Sequence, residues 1–155
     1  MSRFDDADLT DLFKALEDAT PNDALPATPT LLDAVRFNKE GLLPAIAQQH
    51  DTGEVLMMAW MNRDALEETL STHRVCYYSR SRQTLWRKGE SSGQQQHLKS
   101  AALDCDGDTL LLQVEQTGPA CHTGRRSCFY VNVNHEQASI NSEPLIDPVT
   151  LYGKK

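Results

Sequence analysis

Residues 97–115 read HLKSAALDCDGDTLLLQVE. Two strand-length runs, 97–104 and 108–115, flank an acidic turn that carries a glycine. Runs of this length bounded by a turn signal predict two strands. Upstream, PAIAQQ (44–49) and EVLMMAW (54–60) flank His50-Asp51-Thr52-Gly53 and predict a hairpin. VCYYS (75–79) and TLWRK (84–88), joined by Arg80-Ser81-Arg82-Gln83, predict two more strands, and CFYVNV (128–133) another. Asn62 is placed to cap a helix over 62–70, with Ala65, Leu66 and Leu70 on one face. The reading is α+β: a β-rich single domain with few helices.

Ahead of this body, Leu9, Leu12, Phe13 and Leu16 repeat at i, i+3, i+4, i+7 and predict an N-terminal helical extension over 7–19. TPNDALPATPT (20–30) holds three prolines and reads as a linker. The expected organisation is an appendage over 1–35, a body over 36–135 and a tail over 136–155. The end of that tail, NSEPLIDPVTLYGKK, shows no clear pattern.

Composition narrows the function. The chain has 155 residues, 39% hydrophobic and 24% charged, which suits one folded domain. No stretch approaches the ~18 apolar residues of a membrane span. MSRFDDADLTDLF lacks a basic start followed by an apolar run, so no secretory leader is expected and the expected location is cytoplasmic. The net charge of −7 argues against a general nucleic-acid binder. It is unevenly spread: residues 72–99 carry six basic side chains and one acidic, against five and fourteen over 1–71. A small anionic ligand fits one basic segment better than a long polyanion does.

Three groups could carry chemistry. Asp104, Asp106 and Asp108 crowd like charges into one turn, which a hard cation such as Mg²⁺ would relieve. An acidic hairpin turn is the plain alternative. Cys105, Cys121 and Cys128 are soft ligands suited to Zn²⁺, and three ligands with an open position is how catalytic zinc is held. Buried apolar cysteines are the alternative, and Cys76 reads as core. Alternation along an extended turn would point Cys105 away from Asp104 and Asp106, separating two metal sites. His122, beside a candidate ligand, suits proton transfer or the steering of a water. Arg80, Arg82, Lys88, Ser91, Ser92 and Arg125 are the residue types of a phosphate site, and Trp86 could stack on a base.

YYSRSRQTLWRKGESSG, LDCDGDTLLLQVEQTGPACHTGRRSCF and GLLPAIAQQHDTGEVLMMAWMNRDAL together resemble the phosphoribosyl-AMP cyclohydrolase family, over about residues 37–132. The resemblance implies a cytoplasmic, intertwined homodimer of histidine biosynthesis. It would open the purine ring of 1-(5-phosphoribosyl)-AMP between N1 and C6. It also implies Zn²⁺ on Cys105, Cys121 and Cys128, with Cys105 supplied by the partner subunit, and Mg²⁺ on Asp104, Asp106 and Asp108. One departure is Gln94, where relatives often carry histidine. Two other readings are a Mg²⁺-dependent phosphatase built on the Asp-x-Asp-Gly turn and a non-catalytic zinc module binding an anionic partner. The phosphatase would not need the cysteines. The module would bind polyanions with a steep salt dependence.

Overall fold

The computed structural model describes residues 3–5 and 8–152. Strands β1 (Leu43–Gln49), β2 (Val55–Met61), β5 (Gln96–Leu103) and β6 (Leu110–Gln116) form a mixed sheet in the order β2-β1-β6-β5. The outer pairs are antiparallel, while β1 and β6 run parallel from Ala45–Leu110 to Gln49–Val114. Side chains alternate in and out along both central strands. Leu43, Ala45 and Ala47 of β1, and Leu110, Leu112 and Val114 of β6, enter the core. The fourth inward position of each strand is a buried glutamine, Gln49 and Gln116.

Strands β3 (Cys76–Ser79) and β4 (Thr84–Arg87) form a separate hairpin. The main helix, Arg63–Thr72, begins where Asn62 Oδ1 accepts from the Ala65 N–H at 2.9 Å and ends at His73, in the left-handed region at φ 62°. Ala65, Leu66 and Thr69 face the core, and the Thr69 hydroxyl accepts from the Cys76 N–H at 2.9 Å, fixing β3 against the helix.

The N-terminal segment differs from expectation. Instead of one helix over 7–19 there is a 3₁₀ turn (Leu9–Asp11), a single α turn, α1 (Leu12–Ala15), and a second 3₁₀ turn (Leu16–Asp18). Ala7, where the expected helix begins, lies outside the described residues. A helix this short has little propagation to offset its nucleation, and tight i→i+3 turns serve at such ends. The presumed linker also holds the start of α2 (Thr28–Asp33), because Pro29 falls in the first turn, where a missing N–H costs little. The main helix above is therefore α3.

This segment is docked, not free. Phe4, Leu12, Phe13 and Ala34 form a second apolar cluster, and Leu103 packs against both it and the main core. Gly107 sits at φ +69°, and a Cβ there would fall inside the Phe13 ring. The Arg36 N–H donates to the Gly107 carbonyl at 2.8 Å, and its guanidinium to the Thr10 carbonyl at 3.0 Å. The segment thus clasps the turn between β5 and β6. A cavity of about 540 Å³ lies under it, mainly lined by leucines, with Asp104 and Cys105 among its walls.

The C-terminal region carries more structure than its sequence suggested. The expected strand over 128–133 shortens to β7 (Val131–Val133), because the Cys128 N–H and the Ser127 hydroxyl are held by the Leu56 and Val55 carbonyls at 2.7 and 2.8 Å. Strand β8 (Ala138–Ile140) pairs with β7, and a short helix α4 (Pro148–Tyr152) follows. All six β7 and β8 residues are exposed.

Phe13→Ala removes the ring that seats the N-terminal segment, a loss of roughly 3 kcal/mol. Hydrogen exchange of amides 9–33 should quicken by about a hundredfold while β1 and β6 amides keep their protection. Equal protection in both proteins would show that the ring does not seat the segment.

Candidate active site

The loop after β6 carries Cys121, His122 and Cys128, and buried amides hold it in place. Tyr77 Oη donates to Gln96 Oε1 at 2.7 Å, and Gln96 Nε2 donates to Gln116 Oε1 at 2.8 Å. Gln116 Nε2 donates to the Thr117 carbonyl at 2.8 Å and to the Gln94 carbonyl at 3.1 Å. Arg126 closes the loop from the other side. Its guanidinium donates to the Gly118 carbonyl at 2.6 Å, the Gln116 carbonyl at 3.0 Å and Gln49 Oε1 at 2.8 Å. Buried polar groups left unpaired are costly, so a satisfied network of this kind is rigid.

Cys121 is buried and Cys128 half-buried. Burial, with the neighbouring Cys121 thiol, pushes the Cys128 thiol up to about 12. The Thr123 hydroxyl donates to Cys121 Sγ at 3.1 Å. Lys88, just past β4, is buried beside both thiols; its Nζ donates to the Ala120 carbonyl at 2.6 Å. Burial pushes the lysine down, and the two thiols oppose that shift. The adjacent Arg87 is clamped to Glu68 of α3 by two bonds of 2.8 and 2.6 Å, which hold the Glu68 carboxyl below its usual range.

A cleft of about 320 Å³ opens here. Trp86, Ser91 and Ser92 form part of its wall, with Arg82, Lys88, His122 and Cys128. Gly89 makes the bend possible: it sits at φ +88°, and a Cβ there would lie 2.6 Å from the Gln95 nitrogen. The structure thus gathers Arg82, Trp86, Lys88, Ser91, Ser92 and His122 with Cys128. It leaves Arg80 and Arg125 elsewhere. Arg80 stacks over the Trp60 ring at 5.0 Å. Arg125 stacks over Tyr130 at 4.0 Å and donates to the Ser142 carbonyl at 2.8 Å. Gln94 does not line the cleft; its amide donates to the Ser92 carbonyl at 3.3 Å, and it lies against Gly118.

The acidic turn is at the opposite end of β6. Seven residues of strand separate the two, about 20 Å at the usual rise. Cys105 is exposed. It lines the N-terminal cavity together with Asp104, so the expected alternation does not hold: residues 105–108 turn tightly, with the Gly107 N–H on the Asp104 carbonyl at 3.0 Å. The Asp108 carboxyl is raised by its hydrogen bond to Asp104 and by the charges of Asp104 and Asp106. That crowding suits a hard cation, which Mg²⁺ satisfies with one or two carboxylates and several waters. The two neighbouring thiols likewise suit a soft ion, leaving coordination positions open.

Sequence reasoning missed His50, Asp51 and Glu115, whose ligand atoms lie within 4.8 Å of one another, all at the surface. Asp51 and Glu115 are 64 positions apart, and the parallel β1–β6 pairing brings them together. Among the described residues this is the one group of three potential ligands that converges within a single chain.

A mixed-sheet α+β domain that gathers a thiol, a histidine and hydroxyls in one cleft has the makeup of an enzyme acting on a small polar substrate. A family model for phosphoribosyl-AMP cyclohydrolase matches residues 57–130. Proteins named phosphoribosyl-AMP cyclohydrolase align along most of the chain. That of Chromohalobacter salexigens is 66% identical over 147 residues, covering 95% of this chain and all of its own length. Those of Halorhodospira halophila and Alkalilimnicola ehrlichii are each 66% identical, covering 88% and 91% of this chain and 96% and 99% of themselves. The chain belongs to the phosphoribosyl-AMP cyclohydrolase family and is an enzyme.

Two measurements test the scaffold of the site. Arg126→Met removes the guanidinium from the Gly118 and Gln116 carbonyls and from Gln49 Oε1, which keeps the Gln116 N–H, and should lower the free energy of urea unfolding by about 2–4 kcal/mol. An unchanged midpoint would show that the clamp is not structural. The Glu68 carboxyl is lowered in the folded state, so its contribution is present above the unfolded value of 4.5 and is lost as pH falls below it. The stability gap between wild type and Glu68→Gln should close on acidification below 4.5. A gap that is constant with pH would contradict the ion-pair account.

Proposed function

We propose that this enzyme hydrolyses the N1–C6 bond of 1-(5-phosphoribosyl)-AMP in histidine biosynthesis, using Zn²⁺ on Cys121 and Cys128, with Cys105 from the partner subunit of a homodimer. The observation carrying this is the cleft that joins His122 and Cys128 to Arg82, Trp86, Ser91 and Ser92. The separation of Cys105 from the thiol pair by β6 supports a site shared between two copies. The exposed apolar side chains Phe129, Val131, Val133, Ile140 and Leu145 support a second copy packing there. Mg²⁺ is assigned to Asp104, Asp106 and Asp108. Among the described residues, no helix is long and apolar enough to cross a membrane. The reading has no nucleic-acid partner and a cytoplasmic location.

The chemistry follows from the residues. Alkylation at N1 leaves the purine electron-poor and C6 electrophilic. Zinc held by these cysteines would supply a water acidified towards neutral pH. His122 holds the attacking water or takes its proton. As C6 gains oxygen, the N1–C6 bond breaks and N1 takes a proton, giving the formimino carboxamide nucleotide. Arg82 and the Ser91-Ser92 loop bind a phosphate, and Trp86 stacks on the base.

Ring opening is followed by ultraviolet absorbance with phosphoribosyl-AMP and Mg²⁺. A strong chelator should abolish turnover and zinc should restore it. Cys121→Ser should cost more than about a hundredfold, beyond what outer-shell changes cost. Turnover that survives Cys121→Ser would remove zinc from the mechanism. A second test asks whether the site is shared. Cys105→Ser and Cys121→Ser proteins, each inactive, should recover about a quarter of wild-type activity when refolded together at equal amounts. No recovery would place all three cysteines in one protomer.

A further inference from the structure

Lys88 is, among the described residues, the one charged side chain that is buried, at 6% exposure. Its residue type suggested a phosphate contact. The geometry points elsewhere, because Nζ is turned onto the Ala120 carbonyl at 2.6 Å, the peptide immediately before Cys121. Among the described residues no ion pair joins it to a carboxylate; Cys128, His122, Glu90 and Arg82 line the same cleft, and Cys121 follows the Ala120 that takes its bond. The Trp86 ring, with its centre 6.0 Å from Nζ, covers another side.

A buried ammonium is destabilising unless an opposite charge and hydrogen bonds meet it. A single carbonyl supplies one acceptor for three donors and no formal charge. With zinc bound, Cys121 and Cys128 as thiolates would supply the rest. The need is mutual: a divalent zinc on three thiolates would keep one surplus negative charge, and one ammonium would cancel it.

We propose that Lys88 is a positioning residue for the metal centre, its ammonium balancing the charge of Cys121 and Cys128 as thiolates and its bond to Ala120 fixing the loop that presents Cys121. This rests on the zinc reading above. Outer-shell partners of this kind orient ligands and tune metal affinity, typically by ten- to a hundredfold.

The test uses full-length protein. Lys88→Gln keeps an N–H donor for Ala120 but no charge, and Lys88→Arg keeps the charge. Zinc retention against a chromogenic chelator is measured for both and for wild type, alongside KM and kcat at saturating zinc. Lys88→Gln should weaken zinc retention by roughly ten- to a hundredfold, with Lys88→Arg recovering most of it. Cobalt(II)-loaded Lys88→Gln should also shift its thiolate-to-metal absorption to longer wavelength, since the sulfurs lose a neighbouring cation. Should Lys88→Gln not fold, as judged by the near-ultraviolet signal of Trp60 and Trp86, Lys88→Met gives the same reading.

Zinc retention equal to wild type in the uncharged variants overturns the proposal. Combined with a raised KM, that result would make Lys88 a substrate contact. If wild type holds no zinc, or Cys121→Ser holds it equally well, the reading of the site falls first, a different result from failure at Lys88 alone.

Discussion

Strand β6 is the constraint on which the rest depends. Its inward residues, Leu110, Leu112 and Val114, are buried against β1 and β5, so the strand cannot shift register without moving them to the opposite face. At one end it meets the aspartate turn; at the other it delivers Gln116 to the loop of Cys121 and His122. Each end then acquires its own support. The N-terminal segment closes over the first through Phe13 and Arg36. Glutamines and Arg126 brace the second. Cys105 and the thiol pair of Cys121 and Cys128 thus lie at two ends of a rigid element.

Much of this was legible in the sequence. The strands of the main sheet, the β3–β4 hairpin and the Asn62-capped helix lie within a few residues of where alternation and capping placed them, because those signals are local. What was not legible depends on distant contacts. Nothing near Phe13 says that its ring will cover Gly107, 94 positions on. Nothing in the Asp51 turn says that parallel pairing will set it beside Glu115. The β7–β8 pair was hidden for another reason: its six residues are exposed and carry little burial pattern to read.

The candidate site divides in the same way. Residue type and motif singled out Arg82, Trp86, Ser91, Ser92 and His122, and the structure brings these five to one cleft. Residue type alone could not separate neighbouring cations by their surroundings. Arg125 and Arg126 are adjacent, yet one stacks on Tyr130 at the surface and the other is used up in loop carbonyls. Arg87 and Lys88 are adjacent, yet one pairs with a helix carboxylate and the other turns inward to the thiols. Along a strand or loop, successive side chains face different environments, and composition is blind to which is which.

The amide chain from Tyr77 to the site loop also has a direction. Tyr77 donates to the oxygen of Gln96, whose nitrogen donates to the oxygen of Gln116, whose nitrogen donates to the loop carbonyls. Carbonyls can only accept, so Gln116 must turn its nitrogen to them and its oxygen to Gln96, which then turns its nitrogen to Gln116 and its oxygen to Tyr77. The chain therefore has one low-energy sense, imposed by carbonyls that only accept at one end, and the Tyr77 hydroxyl follows it by donating at the other. None of its glutamines can change charge with pH, so the scaffold that holds the loop of Cys121 and His122 keeps its polarity wherever the fold itself survives.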